Sequence, residues 1–84
     1  MEYPFPKWRG KPVLLSKHAS QNILDFNVPL AKVFEVLEEG VETGKKRESG
    51  VFEFMKGFKK EVLKVVVGDA GDNWRVITVV KFKR

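Results

Sequence analysis

The apolar residues of this chain change their period at Gly40. Before it they recur every three or four positions, as on one face of a helix; after it they recur at every second position, as on one face of a strand. The clearest helical set is Leu30, Val33, Phe34 and Leu37, and the clearest strand set is Phe52, Phe54 and Phe58. The change predicts an α+β fold in which two N-terminal helices pack on an antiparallel sheet of three to four strands, in the order α-α-β-β-β-β.

Capping residues set the limits of the two predicted helices. Ser16 is expected to cap the first helix, because its hydroxyl can accept a hydrogen bond from a free N–H of the first turn. Pro29 is expected at the first position of the second helix, where its missing N–H is not needed. Gly40 is expected to end that helix in a left-handed conformation.

Four strands are predicted after Gly40. Val41–Arg47 is typical of a short edge strand protected by lysines, and Val51–Phe58 places its phenylalanines on one face. Glu61–Val67 and Trp74–Phe82 are rich in valine, as expected of inner strands. The loop 68–73 contains glycine, aspartate and asparagine, which predict a hairpin between them.

Residues 1–12 contain three prolines, which favour an extended arm outside a single domain formed by residues 13–84. The arm interleaves aromatic and basic side chains, so Trp8 could either stack on a nucleic-acid base or pack onto the domain. No apolar run approaches the length of a membrane span, and the N-terminus lacks the pattern of a signal peptide. We therefore expect a cytoplasmic protein with no membrane partner.

Composition limits the chemistry open to this chain. It has no cysteine and one histidine, His18, which excludes thiolate chemistry and makes a zinc site unfavourable. The loop 68–73 lacks the ligand spacing of a calcium site, and no phosphate-loop or dinucleotide motif occurs. We expect neither a metal nor a cofactor.

The net charge of +5 is distributed unevenly along the chain. Residues 43–67 carry seven cations and three carboxylates, whereas residues 29–42 carry one cation and four carboxylates. A basic sheet beside an acidic second helix suits a polyanionic partner such as RNA. An ordinary solvated surface is the alternative, and the charge count leaves both open.

Alternation along the last strand predicts where its cations lie. Arg75, Lys81 and Lys83 are separated by even numbers of residues and are expected on one basic face. The opposite face is expected to meet the helices; it comprises Trp74, Val76, Thr78, Val80 and Phe82. Further cations that could bind RNA are Arg47, Lys56 and Arg84.

Several short segments also carry a family resemblance; they are Leu15–Ala19, Val28, Val33, Leu37, Val65–Val67 and Val76–Lys81. They resemble domain-of-unknown-function family 4258, which is similar to the BrnT and RelE toxins. The resemblance covers about residues 14–84 and implies a helix-plus-antiparallel-sheet fold, a metal-free ribonuclease and an acidic antitoxin-like partner. The family's His-Ala pair falls on His18 and Ala19, but two positions where the family carries arginine are Asn22 and Phe26 here.

Two hypotheses follow for the function. In the first, the protein is a toxin-like ribonuclease acting on free or ribosome-bound RNA. His18 would serve as base or phosphate contact, and Lys81 would stabilise the charged phosphorane. In the second, it is a non-catalytic module that binds RNA or a protein. The expected RNA-binding residues in either case are Arg47, Lys56, Arg75, Lys83, Arg84 and Trp8.

Overall fold

The computed structural model describes residues 7–43 and 50–83. Within them the helices are α1 (Lys17–Phe26) and α2 (Leu30–Glu39), and the strands are β1 (Lys7–Trp8), β2 (Lys11–Leu15), β3 (Val41–Glu42), β4 (Val51–Gly57), β5 (Glu61–Asp69) and β6 (Trp74–Lys83). The strands form one mixed sheet in the order β1-β2-β6-β5-β4-β3. The predicted α+β class is confirmed, but the sheet has six strands in the described residues instead of the predicted three to four.

In the described part of the predicted N-terminal arm, residues 7–12 form β1 and the start of β2. β1 and β2 form an antiparallel hairpin whose turn residues, Arg9 and Gly10, have φ of 50° and 80°. Positive φ at both positions suits the right-handed twist of a hairpin. β2 then pairs parallel to β6, with Val13 opposite Trp74. The boundary between residues 12 and 13 therefore falls inside a strand, and the sheet is not purely antiparallel as predicted.

Helix α1 begins where β2 leaves the sheet. The N–H of Ser16 donates to the carbonyl of Val76 (2.9 Å), and its hydroxyl accepts from the N–H of Ala19 (3.0 Å). This confirms Ser16 as the cap of the helix. The helix ends at Asn27, which has a left-handed φ of 55°.

Helix α1 flanks β6 beyond the end of β2. There the side-chain oxygen of Asn22 accepts hydrogen bonds from the hydroxyl of Thr78 (2.9 Å) and, at longer range, from the N–H of Val79 (3.5 Å). Edge strands with unpaired backbone groups invite pairing with other chains. The helix thus covers the edge of β6 that β2 leaves open.

Helix α2 differs from its prediction at both ends. Pro29 caps the helix in an extended conformation and Leu30 is its first residue. Gly40 has φ −73°, so the expected left-handed end is wrong. A Cβ at Gly40 would instead contact the carbonyl oxygen of Val36 and lie 2.9 Å from that of Met55, so glycine is required there for close packing. Neither of these two helices has the length and apolarity needed to cross a membrane.

The later strands form an antiparallel unit, as predicted. β4 pairs with β5 and β5 pairs with β6, and the hairpin at residues 68–73 is confirmed by the bond from the N–H of Ala70 to the carbonyl of Asn73 (3.0 Å). β3 is a short edge strand at Val41–Glu42. Residues 44–47 of the predicted strand lie outside the described residues.

The core lies between the helices and one side of the sheet, which we call the helix face. Paired residues of neighbouring strands lie on the same face, so the register assigns this face from β4 to β6. α2 packs on β4 and β5, and α1 packs on β6 and β2. The buried residues of the helix face include Phe54, Leu63, Val65, Val67, Trp74, Val76 and Val79.

Aromatic rings close one end of this core. The ring of Trp8 lies 5.4 Å from that of Phe54 and 4.8 Å from that of Trp74, both in edge-to-face geometry. The indole N–H of Trp8 donates to the carbonyl of Leu37 in α2 (3.1 Å). The sheet is therefore curled toward the helix face, because β1 at one edge reaches β4 near the other.

Candidate nucleic-acid interface

A bulge in β6 separates the cations that alternation placed together. Val66 pairs with Thr78 and Val67 pairs with Val76, which leaves Ile77 as an extra residue in β6. A bulge of one residue reverses the alternation beyond it. Arg75 consequently lies on the face opposite the helices, which we call the open face, whereas Lys81 and Lys83 lie on the helix face. The prediction that these three cations share one face is wrong.

The same bulge corrects the face assigned to the apolar residues of β6. Trp74 and Val76 meet the helices as predicted. The partners of Thr78, Val80 and Phe82 are Val66, Lys64 and Val62, all of the open face. Val79 takes their place in the core and is fully buried.

Trp8 is a core residue. It is 6% exposed, its N–H is used by Leu37, and the guanidinium of Arg9 lies 4.4 Å from its ring centre. A ring enclosed in this way offers no face on which a base could stack. The ring packs in the core of the domain, which is the second of the two roles that the sequence suggested for it.

Lys56 is held by helix α2. Its ammonium group forms ion pairs with the carboxylates of Glu35 and Glu39, the latter at 3.1 Å. The hydrogen bond to Glu35, supported by that to Glu39, raises the pKa of Lys56 above its ordinary value of 10.5. Lys56 stays charged, but its two carboxylate partners offset that charge and weaken its attraction for a phosphate. Lys56 therefore does not strengthen the candidate site.

Five other lysines come together at one end of the sheet. The hairpin between β4 and β5 is closed by the bond from the N–H of Phe58 to the carbonyl of Glu61 (2.6 Å) and places two lysines at its tip. Glu61 pairs with Lys83 in β6, and its carboxylate lies 3.8 Å from the ammonium of Lys32 in α2. The members of this lysine cluster are Lys32, Lys59, Lys60, Lys81 and Lys83.

The lysine cluster keeps most of its positive charge. Glu61 contacts Lys32, and the nearby carboxylates Glu35 and Glu39 are paired with Lys56. For Lys59, Lys60, Lys81 and Lys83 no ion pair or hydrogen bond with another described residue is formed by the side chain. Lys59, Lys60 and Lys83 are exposed and Lys81 is half-buried. The arrangement can therefore hold several phosphate groups by charge-assisted hydrogen bonds.

The start of α2 adds to the positive potential of the cluster. Lys32 lies in the first turn of the helix, and no side chain caps that turn. The free N–H groups of a helix start carry a partial positive charge. Because Lys32 reaches Glu61, this end of the helix is directed toward the lysine cluster.

His18 lies elsewhere, in the first turn of α1. It is exposed, and the preceding Ser16 donates its hydroxyl to the carbonyl of Ile77 (2.9 Å), which places the start of α1 beside the bulge. Lys81 is four residues further along β6, a distance of about 13 Å at 3.3 Å per residue. The start of α1, which carries His18, is therefore separated from Lys81 by four residues of β6. Arg47 and Arg84 lie outside the described residues.

The positions at which the resembling family carries arginine have structural roles here. Asn22 accepts hydrogen bonds at the edge of β6, and Phe26 packs against the core. No cation is therefore available at either position beside His18.

Three members of the lysine cluster were not among the predicted site residues: Lys32, Lys59 and Lys60. A signal for two of them was present, because the predicted hairpin at 68–73 pairs the start of β5 with the end of β6. That pairing brings the lysines before β5 next to Lys83. Lys32 is brought in only by the packing of α2 on β5. Among residues 7–43 and 50–83, no group of three or more metal-binding side chains is found.

Comparison of the chain with protein-family models, with curated proteins and with solved structures gives no match. The lysine cluster and the residues that contact it are therefore the basis for a proposed function.

Proposed function

We propose that this protein binds RNA through the lysine cluster without cleaving it. The observation that carries the proposal is the proximity of five lysines from α2, the β4–β5 turn and β6 at one end of the sheet. Lysines on three separate elements can contact successive phosphates of a backbone, which supplies most of the affinity in binding that is not sequence-specific.

The ribonuclease hypothesis has weaker support. Lys81 belongs to the lysine cluster and His18 is accessible, which favours it. However, a general base must come within hydrogen-bond reach of the 2′-hydroxyl while cations hold the same phosphodiester. The separation of His18 from Lys81 along β6, and the structural use of Asn22 and Phe26, make binding the better proposal.

An acidic protein is a second proposed ligand of the same cluster. A surface rich in carboxylates complements five lysines much as a phosphate backbone does. This is the partner that the toxin resemblance implies. It predicts competition, because such a protein would displace RNA from the lysine cluster.

Binding can be measured by the fluorescence anisotropy of a labelled single-stranded RNA between 50 and 200 mM salt. We expect the affinity of the unmodified protein to fall steeply with salt, because binding releases counterions from the RNA. The double variant Lys60→Ala, Lys83→Ala should bind more weakly and should lower the slope of log K against log salt by about 1.4.

The matched control is Lys7→Ala, Lys17→Ala, which removes two exposed cations of β1 and α1 outside the cluster. It has the same net charge as the cluster variant and should bind almost as well as the unmodified protein. Equal losses in both variants would mean that overall charge, and not the cluster, attracts RNA. The unmodified protein and His18→Ala, incubated with the same RNA in EDTA, test catalysis; cleavage that is lost in His18→Ala would contradict a purely binding role.

A further inference from the structure

Phe82 is the aromatic member of the large apolar side chains that are exposed among the described residues. It is 43% exposed, whereas Trp8, Phe54 and Trp74 are buried in the core. Single exposed apolar side chains are common on protein surfaces, so only its surroundings can show whether this ring has a function.

Phe82 lies at the same end of the sheet as the lysine cluster. It stands between Lys81 and Lys83 in β6, and alternation along the strand places these two lysines on the helix face and the ring on the open face. Its partner in β5 is Val62, and the lysines of the β4–β5 turn lie shortly before that residue. The ring therefore has cluster lysines next to it along its own strand and across the turn.

The outer edge of β6 gives a ligand access to both faces at this point. β2 pairs with residues 74–76 of β6, and Asn22 of α1 reaches Val79. Beyond Val79, no strand in the part of the chain that the structure describes pairs with β6 on the side away from β5. An RNA backbone that follows this edge would have Lys81 and Lys83 on one side and the ring of Phe82 on the other.

The open face is shallow beside the ring. Val62, the partner of Phe82, is itself paired with Gly57 in β4, which has no side chain. The ammonium of Lys64 lies 5.4 Å from the centre of the ring and 4.0 Å from a carboxylate oxygen of Glu53. Lys64 thus contacts the ring but leaves Phe82 exposed, so a flat base has room to stack on it.

We infer that the ligand of the lysine cluster is single-stranded RNA, one base of which stacks on Phe82. The inference rests on the proposed function, in which the lysines hold the phosphates. An aromatic side chain beside a positively charged surface is typical of proteins that bind single strands, because every base has a flat face. In a double helix the bases are stacked on one another, so a ring at the protein surface cannot reach their faces.

Phe82→Ala tests the inference by fluorescence anisotropy with a labelled single-stranded RNA and with the same strand annealed to its complement. We expect Phe82→Ala to weaken binding of the single strand at least about fivefold and to leave binding of the duplex unchanged. Stacking releases no counterions, so the slope of log K against log salt should stay the same, unlike that of Lys60→Ala, Lys83→Ala.

Two further variants separate loss of the ring from loss of structure. Phe82→Leu keeps an apolar side chain of similar size and should show the same loss as Phe82→Ala. Phe82→Trp keeps an aromatic ring and should bind the single strand at least as tightly as the unmodified protein. Circular dichroism shows which variants are folded.

The matched control is Leu14→Ala, because Leu14 is 37% exposed and pairs with Arg75 at the opposite end of β6. It should leave both affinities unchanged. Equal losses in Phe82→Ala and Leu14→Ala, or equal losses on the single strand and the duplex, would overturn the inference. So would an unchanged affinity of folded Phe82→Ala or Phe82→Leu for the single strand, although salt-dependent binding through the lysines would still support the proposed function. Absence of salt-dependent binding of either RNA to the unmodified protein would overturn both.

Discussion

At the scale of single residues, the two tryptophans show how differently one side chain can be used. Both are buried, at 6% and 7% exposure. The N–H of Trp8 donates to Leu37, whereas the N–H of Trp74 is buried with no hydrogen-bond partner among the described residues. A buried donor without a partner costs free energy, so the two indoles should contribute differently to stability.

Replacement of each tryptophan by phenylalanine tests this difference. Trp8→Phe removes a hydrogen bond and leaves a buried carbonyl without that donor, whereas Trp74→Phe removes a donor that had no partner. We expect Trp8→Phe to lower the free energy of unfolding by about 1–2 kcal/mol more than Trp74→Phe does. Urea unfolding followed by circular dichroism measures both; equal losses would mean that only ring volume matters.

Several features at this scale were readable from the sequence. The cap formed by Ser16 depends on atoms within one helical turn, so the local pattern was sufficient. The sequence left two roles open for Trp8 and could not decide between them, because its partners Leu37 and Phe54 are far away in the chain. Gly40 was recognised as a helix end, but its close approach to Met55 depends on the packing of α2 on β4.

At the scale of elements, the bulge at Ile77 decides which cations lie on the same face. The run Val76–Val80 is almost wholly apolar, so its sequence has no alternation that could reveal an extra residue. Only the pairing with β5 shows it. The presence of β4, β5 and β6 was predictable from valine and phenylalanine patterns, but the faces presented by the end of β6 were not.

The ion pair between Lys11 and Asp69 joins β2 to the end of β5 and makes the stability of the fold depend on pH. The ammonium of Lys11 in β2 donates to the carboxylate of Asp69 (2.6 Å), which also accepts from the N–H of Gly71 (2.9 Å). The hydrogen bond from Lys11, together with that from Gly71, holds the pKa of Asp69 below its ordinary value of 3.8. The carboxylate therefore stabilises the fold above pH 3.8, and this stabilisation is lost as the pH falls through the lower pKa of the folded state.

Asp69→Asn, which removes the charge and keeps a similar shape, measures this contribution. The protein with Asp69 should be more stable than the variant at pH 7, and the difference should shrink as the pH falls below 3.8 toward 2.5. Urea unfolding at each pH gives the two free energies. Asp72→Asn, in the same loop, is the control; a similar pH-dependent difference for it would show that general charge is responsible.

At the scale of the whole molecule, the hairpin formed by β1 and β2 is part of the domain. Deletion of residues 1–10 removes Trp8, and loss of a buried tryptophan side chain alone costs about 3–5 kcal/mol. A chain of this size is stable by only about 5–10 kcal/mol. We expect the shortened protein to unfold at a markedly lower temperature than the unmodified protein in thermal melts followed by circular dichroism. Unchanged melting would restore the separate arm that the prolines predicted.

The sequence by itself determined the α+β class, both helices, the cap at Ser16 and the antiparallel unit of β4, β5 and β6. Each depends on periodicity or on contacts within a few residues. The tertiary structure alone decided that β2 joins β6 in parallel, that Trp8 enters the core, and that Lys32 joins the lysines of β6 and the β4–β5 turn. These features join residues that are distant in the chain, and no local pattern encodes such a pairing because its free energy comes from packing the whole sheet.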